Sequence, residues 1–166
     1  MALTANCEVK MTLSYTKTTD LGTVPYVLNL GRGRTFTNGT GANKADVLFD
    51  DQRTLADGAD ETLDLRDGTL TDTLGVALTM DILRYLYIKN GSTDANLLIG
   101  GAAATPIGLF ADAASDILSL PPGGEFVFFA PNATGIDLTT NAHLKLAHSG
   151  VGTSTLTYDI IAVGED

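Results

Sequence analysis

Apolar and polar residues alternate along much of this chain. The pattern is cleanest in Cys7-Glu-Val9-Lys-Met11-Thr-Leu13-Ser-Tyr15-Thr-Lys17, where odd positions are mostly apolar and even positions polar. A period of two is the signature of a half-buried β-strand, because successive side chains leave opposite faces of the pleat. A second apolar run, Val24-Pro-Tyr26-Val-Leu28-Asn-Leu30, follows the Leu21-Gly-Thr turn. Its Pro25 has no amide hydrogen to give to a ladder and confines the run to a sheet edge or a strand start. From Gly31 to Lys44 there are four glycines, two asparagines and too few apolar residues to define a face, which predicts an extended arm or long loop.

Short strands joined by acidic turns are expected over residues 45–73, where nine acids separate pieces such as Val47-Leu-Phe49 and Leu63-Asp-Leu65. Asp57-Gly58 and Asp67-Gly68 are turn dipeptides. The most apolar stretch, residues 76–89, allows a helical turn from a Thr79 cap at its start and reads as strand at its end, Arg84–Lys89. Asn90-Gly91 then signals a hairpin to Ala95–Ile99. Further strands are predicted at Pro106–Phe110, Ile117–Leu120, Glu125–Phe129, Thr134–Leu138, His143–Ala147 and Ser154–Val163. Strands of about five residues at intervals of about 8 to 12, with turn chemistry between them, predict an all-β fold, an antiparallel β-sandwich of jelly-roll type. A single domain is expected, with N-terminal strands and a Gly-rich arm over residues 1–44 and a sandwich body over residues 45–166.

Composition agrees with one domain: 166 residues, 44% of them apolar, can build a core without disulfide or metal. The net charge of −10 repels phosphate backbones and disfavours nucleic-acid binding. That charge is uneven. Residues 1–44 carry Lys10, Lys17, Arg32, Arg34 and Lys44 against Glu8 and Asp20, a balance of +3, which leaves −13 for residues 45–166. The leading segment is therefore suited to an acidic surface, unless its excess is a chance feature of a solvated segment. Cys7 is the single cysteine and excludes an internal disulfide; its alternating context makes it a small core residue rather than a nucleophile. No stretch approaches a membrane span and the start lacks a signal-peptide pattern, so a soluble protein made in a reducing cytosol is expected.

Catalytic motifs are weak. Gly31-Arg-Gly33-Arg-Thr-Phe36 lacks the third glycine of a dinucleotide fingerprint, and Gly39-Thr-Gly41-Ala-Asn-Lys44 misses the phosphate-loop spacing. No Gly-x-Ser-x-Gly elbow occurs. His143 and His148 lie five apart on one strand and point to opposite faces, so they do not share a metal; surface or strand-end positions suit them better. The acids Asp57, Asp60, Glu61 and Asp64 fit a solvated rim, with a weak calcium site as the open alternative. With no Trp and five Tyr, a sugar platform is disfavoured. No cofactor, metal or catalytic residue is assigned. The arm is the remaining candidate: Arg32, Arg34 and Lys44 would pair with acidic groups on a partner, and Tyr26, Phe36 and Phe49 would anchor in its grooves. A floppy hairpin loop is the competing reading.

The runs Phe36-Thr-Asn-Gly-Thr-Gly-Ala-Asn-Lys44, Asp50-Asp-Gln-Arg-Thr-Leu55, Glu61-Thr-Leu-Asp-Leu65, Leu70-Thr-Asp-Thr-Leu-Gly-Val-Ala-Leu78, Tyr87-Ile-Lys-Asn90, Ile117-Leu-Ser-Leu-Pro-Pro-Gly-Gly124 and His148-Ser-Gly-Val-Gly152 resemble small virion proteins encoded beside the major capsid protein in tailed phages. The resemblance spans about residues 36–163. It implies a β-rich, non-enzymatic capsid decoration (cement) protein. Such a protein is a homotrimer on the outer surface of the head, bound to the major capsid protein and clamping neighbouring capsomers, with no nucleic-acid or membrane partner. A head-fibre, head-completion or tail-tube protein and, less readily, a sugar-binding jelly roll remain open beside it.

Overall fold

In a computed structural model, which describes residues 2–72, 74–102, 104–110, 115–151 and 154–166, the described residues form eleven strands and one short 3-10 turn, Gly108–Phe110. Three sheets result. The strands β1 (Thr4–Thr19) and β2 (Gly22–Thr37) pair only with each other. One body sheet has the order β3-β11-β5-β8, from Val47–Leu55, Leu156–Glu165, Ile82–Asn90 and Glu125–Phe129, with the short β9 (Ile136–Asp137) also on β5. The other has the order β4-β10-β6-β7, from Asp60–Asp64, His143–His148, Leu97–Gly100 and Ile117–Leu120. Every pairing between these strands is antiparallel. The protein is an all-β antiparallel sandwich carrying a separate two-stranded ribbon.

The sandwich follows from the two-residue period. In β10, Leu144, Leu146 and His148 are buried while His143, Lys145 and Ala147 are half-buried. In β11, Leu156, Tyr158, Ile160 and Ala162 point into the same core. Leu63 of β4, Leu86 and Ile88 of β5, and Leu97 and Ile99 of β6 complete its centre. Each such side chain contributes about 1.5–3 kcal/mol on leaving water. A second, smaller cluster of Cys7, Phe36, Ala45 and Val163 sits beside Leu48, Tyr85, Phe129 and Ile161. Ile161 and Val163 alternate with the core residues Ile160 and Ala162, so this cluster lies on the outward face of the β3-β11-β5-β8 sheet. It is where the foot of the ribbon is fastened.

Several local expectations change. Gly31–Thr37 continue strand β2 instead of opening a loop, because Cys7, Glu8, Val9 and Lys10 supply cross-strand partners for Arg34, Gly33, Arg32 and Gly31. Asn90 does not turn a hairpin: β5 and β6 lie in different sheets. The buried Asn90 amide instead donates to the carbonyls of Ala95 and Leu120 and accepts from the Ser92 amide, holding an arch between the layers. Pro106–Phe110 holds no strand but ends in the 3-10 turn Gly108–Phe110, and residues 76–81 contain no helix.

Candidate functional site

The ribbon stands apart from the sandwich in both contacts and exposure. Its strands run 16 residues each, about 50 Å at about 3.3 Å per residue, and turn at Asp20-Leu21. Cross-strand pairs put Val9 opposite Arg32, Met11 opposite Leu30, Leu13 opposite Leu28, Tyr15 opposite Tyr26 and Lys17 opposite Val24. All of these leave one face of the ribbon. The other face is mostly polar, with Thr12 donating to Asn29 and Thr35 to Asn6 across the strands. Toward the foot the apolar face is covered: Phe36 is fully buried and Cys7 nearly so. Beyond that it is open, with Tyr15 64% and Tyr26 60% exposed and Leu21 fully exposed at the tip. Burial pushes the Cys7 thiol up, which keeps it a neutral packing group at the fastened end.

This is an unusual expenditure of apolar surface. An isolated two-stranded hairpin is at best marginally stable in water and needs a further strand or a packed face. Here the far end of the ribbon has neither. Charge separates it further from the body. Residues 4–37 hold four basic and two acidic residues, a balance of +2, so the rest of the chain sums to −12 out of the total of −10.

Of the six contact residues expected from the sequence, Tyr26, Arg32 and Arg34 lie exposed on the apolar face of β2, in the same alternation. The guanidinium groups of Arg32 and Arg34 donate to the carbonyls of Gly31 and Gly33. Lys44 is half-buried, and its ammonium donates to the Thr37 hydroxyl at 2.9 Å. Phe36 and Phe49 are corrections. Phe36 fills the cluster under the ribbon foot and Phe49, 2% exposed, belongs to the main core, so neither offers a surface to a partner. Val9, Met11, Leu13 and Tyr15 lie exposed on the same face, and their strict alternation is the clearest pattern in the chain.

Beside the ribbon foot lies a groove of about 580 Å³ lined by Leu3, Val47 and Leu78 together with Asp46, Asp72 and Asp166. Leu74 and Val76, 64% and 56% exposed, also line it. Its character is apolar with an acidic rim.

Several ionisable groups pair with one another within the body. Asp60 pairs with Lys145 at 2.6 Å, Glu61 pairs with Arg53 and accepts from the Tyr158 hydroxyl, and Asp64 meets His143. Among the described residues no group of three or more metal-ligating side chains converges. The two histidines do point to opposite faces, at the two ends of β10, but His148 is a core residue and not a surface one. Thr105, His143 and Asp64 form a chain of hydroxyl, imidazole and carboxylate with steps of 2.8 and 3.0 Å, and Thr105 has a φ of 43°. The same Nδ1 that faces Thr105 lies 2.8 Å from the Ala104 carbonyl, which can only accept. A nitrogen presenting its proton there cannot take one from Thr105, so the trio acts as a strap. Backbone bonds between His143 and both Thr105 and Ile107 hold the same segment. No family model and no curated protein matches the chain.

Proposed function

We propose that this chain is a non-catalytic virion component, a capsid decoration protein that binds the outside of the assembled phage head as a homotrimer and clamps neighbouring capsomers. The observation that carries this reading is the ribbon: about 50 Å of hairpin whose apolar face is fastened to the body at the foot and open from Val9 to the tip. An exposed apolar face of this length marks an interaction surface, which suits a protein that works by being covered. The body supports the reading in a second way. Counting only its eight main strands, the sheets run first-eighth-third-sixth and second-seventh-fourth-fifth. That order is what two interleaved Greek keys produce, and it supports a jelly roll.

In this reading the acidic body faces water on the outer surface of the head, and the contacts to the major capsid protein and between copies are modest individually. Three such contacts on one trimer act at high effective concentration and hold where one would dissociate. Co-sedimentation with purified, assembled heads tests it. Retention of the chain on shells, together with a raised temperature of shell disruption, is the expected outcome; a chain left in the supernatant at every concentration overturns it.

A further inference from the structure

The apolar face of the ribbon and the groove beside its foot have complementary character. The ribbon face offers Val9, Met11, Leu13, Tyr15 and Tyr26, with Lys17 and Val24 toward the tip and Leu21 at the turn. The groove offers apolar walls with the carboxylates of Asp46, Asp72 and Asp166, and the exposed Leu74 and Val76. Both belong to every copy of the chain. We propose that the occupant of the ribbon face is a second copy of this chain, with the ribbon lying along that copy's body and its tip seated in the groove at the foot of that copy's own ribbon.

Charge favours this occupant, since a ribbon of +2 meets a body of −12. Continuity favours it too. The apolar face already packs against the half-buried outward sheet face through Cys7 and Phe36, and the ribbon face remains open beyond that contact. The open stretch of the face, from Val9 to the turn, is about 35 Å long and about 10 Å wide and offers about 350 Å². In a head-to-tail arrangement each copy gives one ribbon and receives one; each of these two contacts is smaller than the roughly 800 Å² per partner of a single stable interface, and closure of the ring supplies the rest through multivalency. The contact joins two different patches, so it is heterologous and closes into a ring when the rotation per step allows.

The inference deepens the reading of the ribbon as a contact element but does not depend on any capsid. Its test is the mass of the purified full chain by size-exclusion chromatography with light scattering, in the absence of shells. A closed oligomer is expected for the natural chain. Lys17→Glu and Val76→Lys each alter an exposed side chain and leave the thermal unfolding temperature unchanged. Each should weaken association by about tenfold, and the two together should recover part of it because the carboxylate introduced on the ribbon and the ammonium introduced in the groove attract each other. A chain that stays monomeric at high micromolar concentration overturns the inference, even if it still binds shells. An oligomer that Tyr15→Ser with Tyr26→Ser dissociates but Val76→Lys leaves intact overturns the groove as the seat.

Discussion

The guanidinium of Arg84 and the carboxylate of Glu165 meet inside the protein, where Nη2 of the fully buried Arg84 donates to Oε1 of Glu165. Around this pair the structure gathers four segments. Arg84 also donates to the carbonyls of Asn132 and Ala133, and Oε2 of Glu165 accepts from the Gly41 amide at 2.6 Å. The pair therefore ties β5 and the end of β11 to the loop that leaves the ribbon and to the loop after β8. Nε of Arg84 is left without a partner, and no other buried side-chain nitrogen or oxygen among the described residues is in that position.

Removing one member of the pair should cost more than removing both. Glu165→Gln leaves the Arg84 charge buried against a neutral amide and should lose about 3–5 kcal/mol, while Arg84→Met combined with Glu165→Gln should recover much of that loss. Urea denaturation of the two variants beside the natural chain reads the difference directly. Equal losses for single and double variants would show that the pair is not the support of these loops.

Truncation should separate the two apolar surfaces. Leu63→Ala or Ile160→Ala opens a cavity between the sheets and should cost about 2–5 kcal/mol. Leu13→Ala, 49% exposed on the ribbon, should change the stability of the isolated chain by less than about 1 kcal/mol. A large loss at Leu13 in a monomeric sample would mean that the ribbon folds onto the body in solution.

Gly164 lies at the one break in the β11–β5 register: Val163 pairs with Tyr85 and Gly164 with Leu83, so Arg84 is the extra residue of the bulge. A Cβ at this position would run into the Ile82 carbonyl and the side chain of Met80. Gly164→Ala should cost about 1–3 kcal/mol by overpacking, visible as a lower thermal midpoint. An unchanged midpoint would mean that the bulge is soft.

Alkaline titration should be staged. Burial raises the Tyr158 hydroxyl well above its ordinary range, reinforced by the hydrogen bond and charge of Glu61, and burial also raises Tyr85 and Tyr87. A tyrosine held neutral by the fold contributes stability that is fully present below its unfolded pKa of about 10 and is lost as pH climbs above that value. Ultraviolet difference absorbance should therefore show Tyr158 ionising together with unfolding. Tyr158→Phe should lose the Glu61 bond and remove this step; a smooth titration of Tyr158 without unfolding would contradict the geometry.

What the amino-acid order determined by itself is the local periodicity. Alternation at Cys7–Lys17, His143–Ala147 and Ser154–Val163 specifies strands, because a pleat presents one face at every second residue whatever surrounds it. The sandwich class and the special character of the first 44 residues follow from such local rules. Which face meets which partner was decided by the tertiary structure alone. Gly31–Thr37 looks like a loop until β1 supplies its partners, Asn90-Gly91 looks like a hairpin until the arch at Asn90 sends the chain to the other sheet, and Phe36 and Phe49 look like anchors until neighbouring strands cover them. Hydrogen-bond partners and burial come from residues tens of positions away, so periodicity carries no record of them. The apolar stripe of the ribbon was written in the sequence; that the fold covers it at Cys7 and Phe36 and leaves it open from Val9 onward was not.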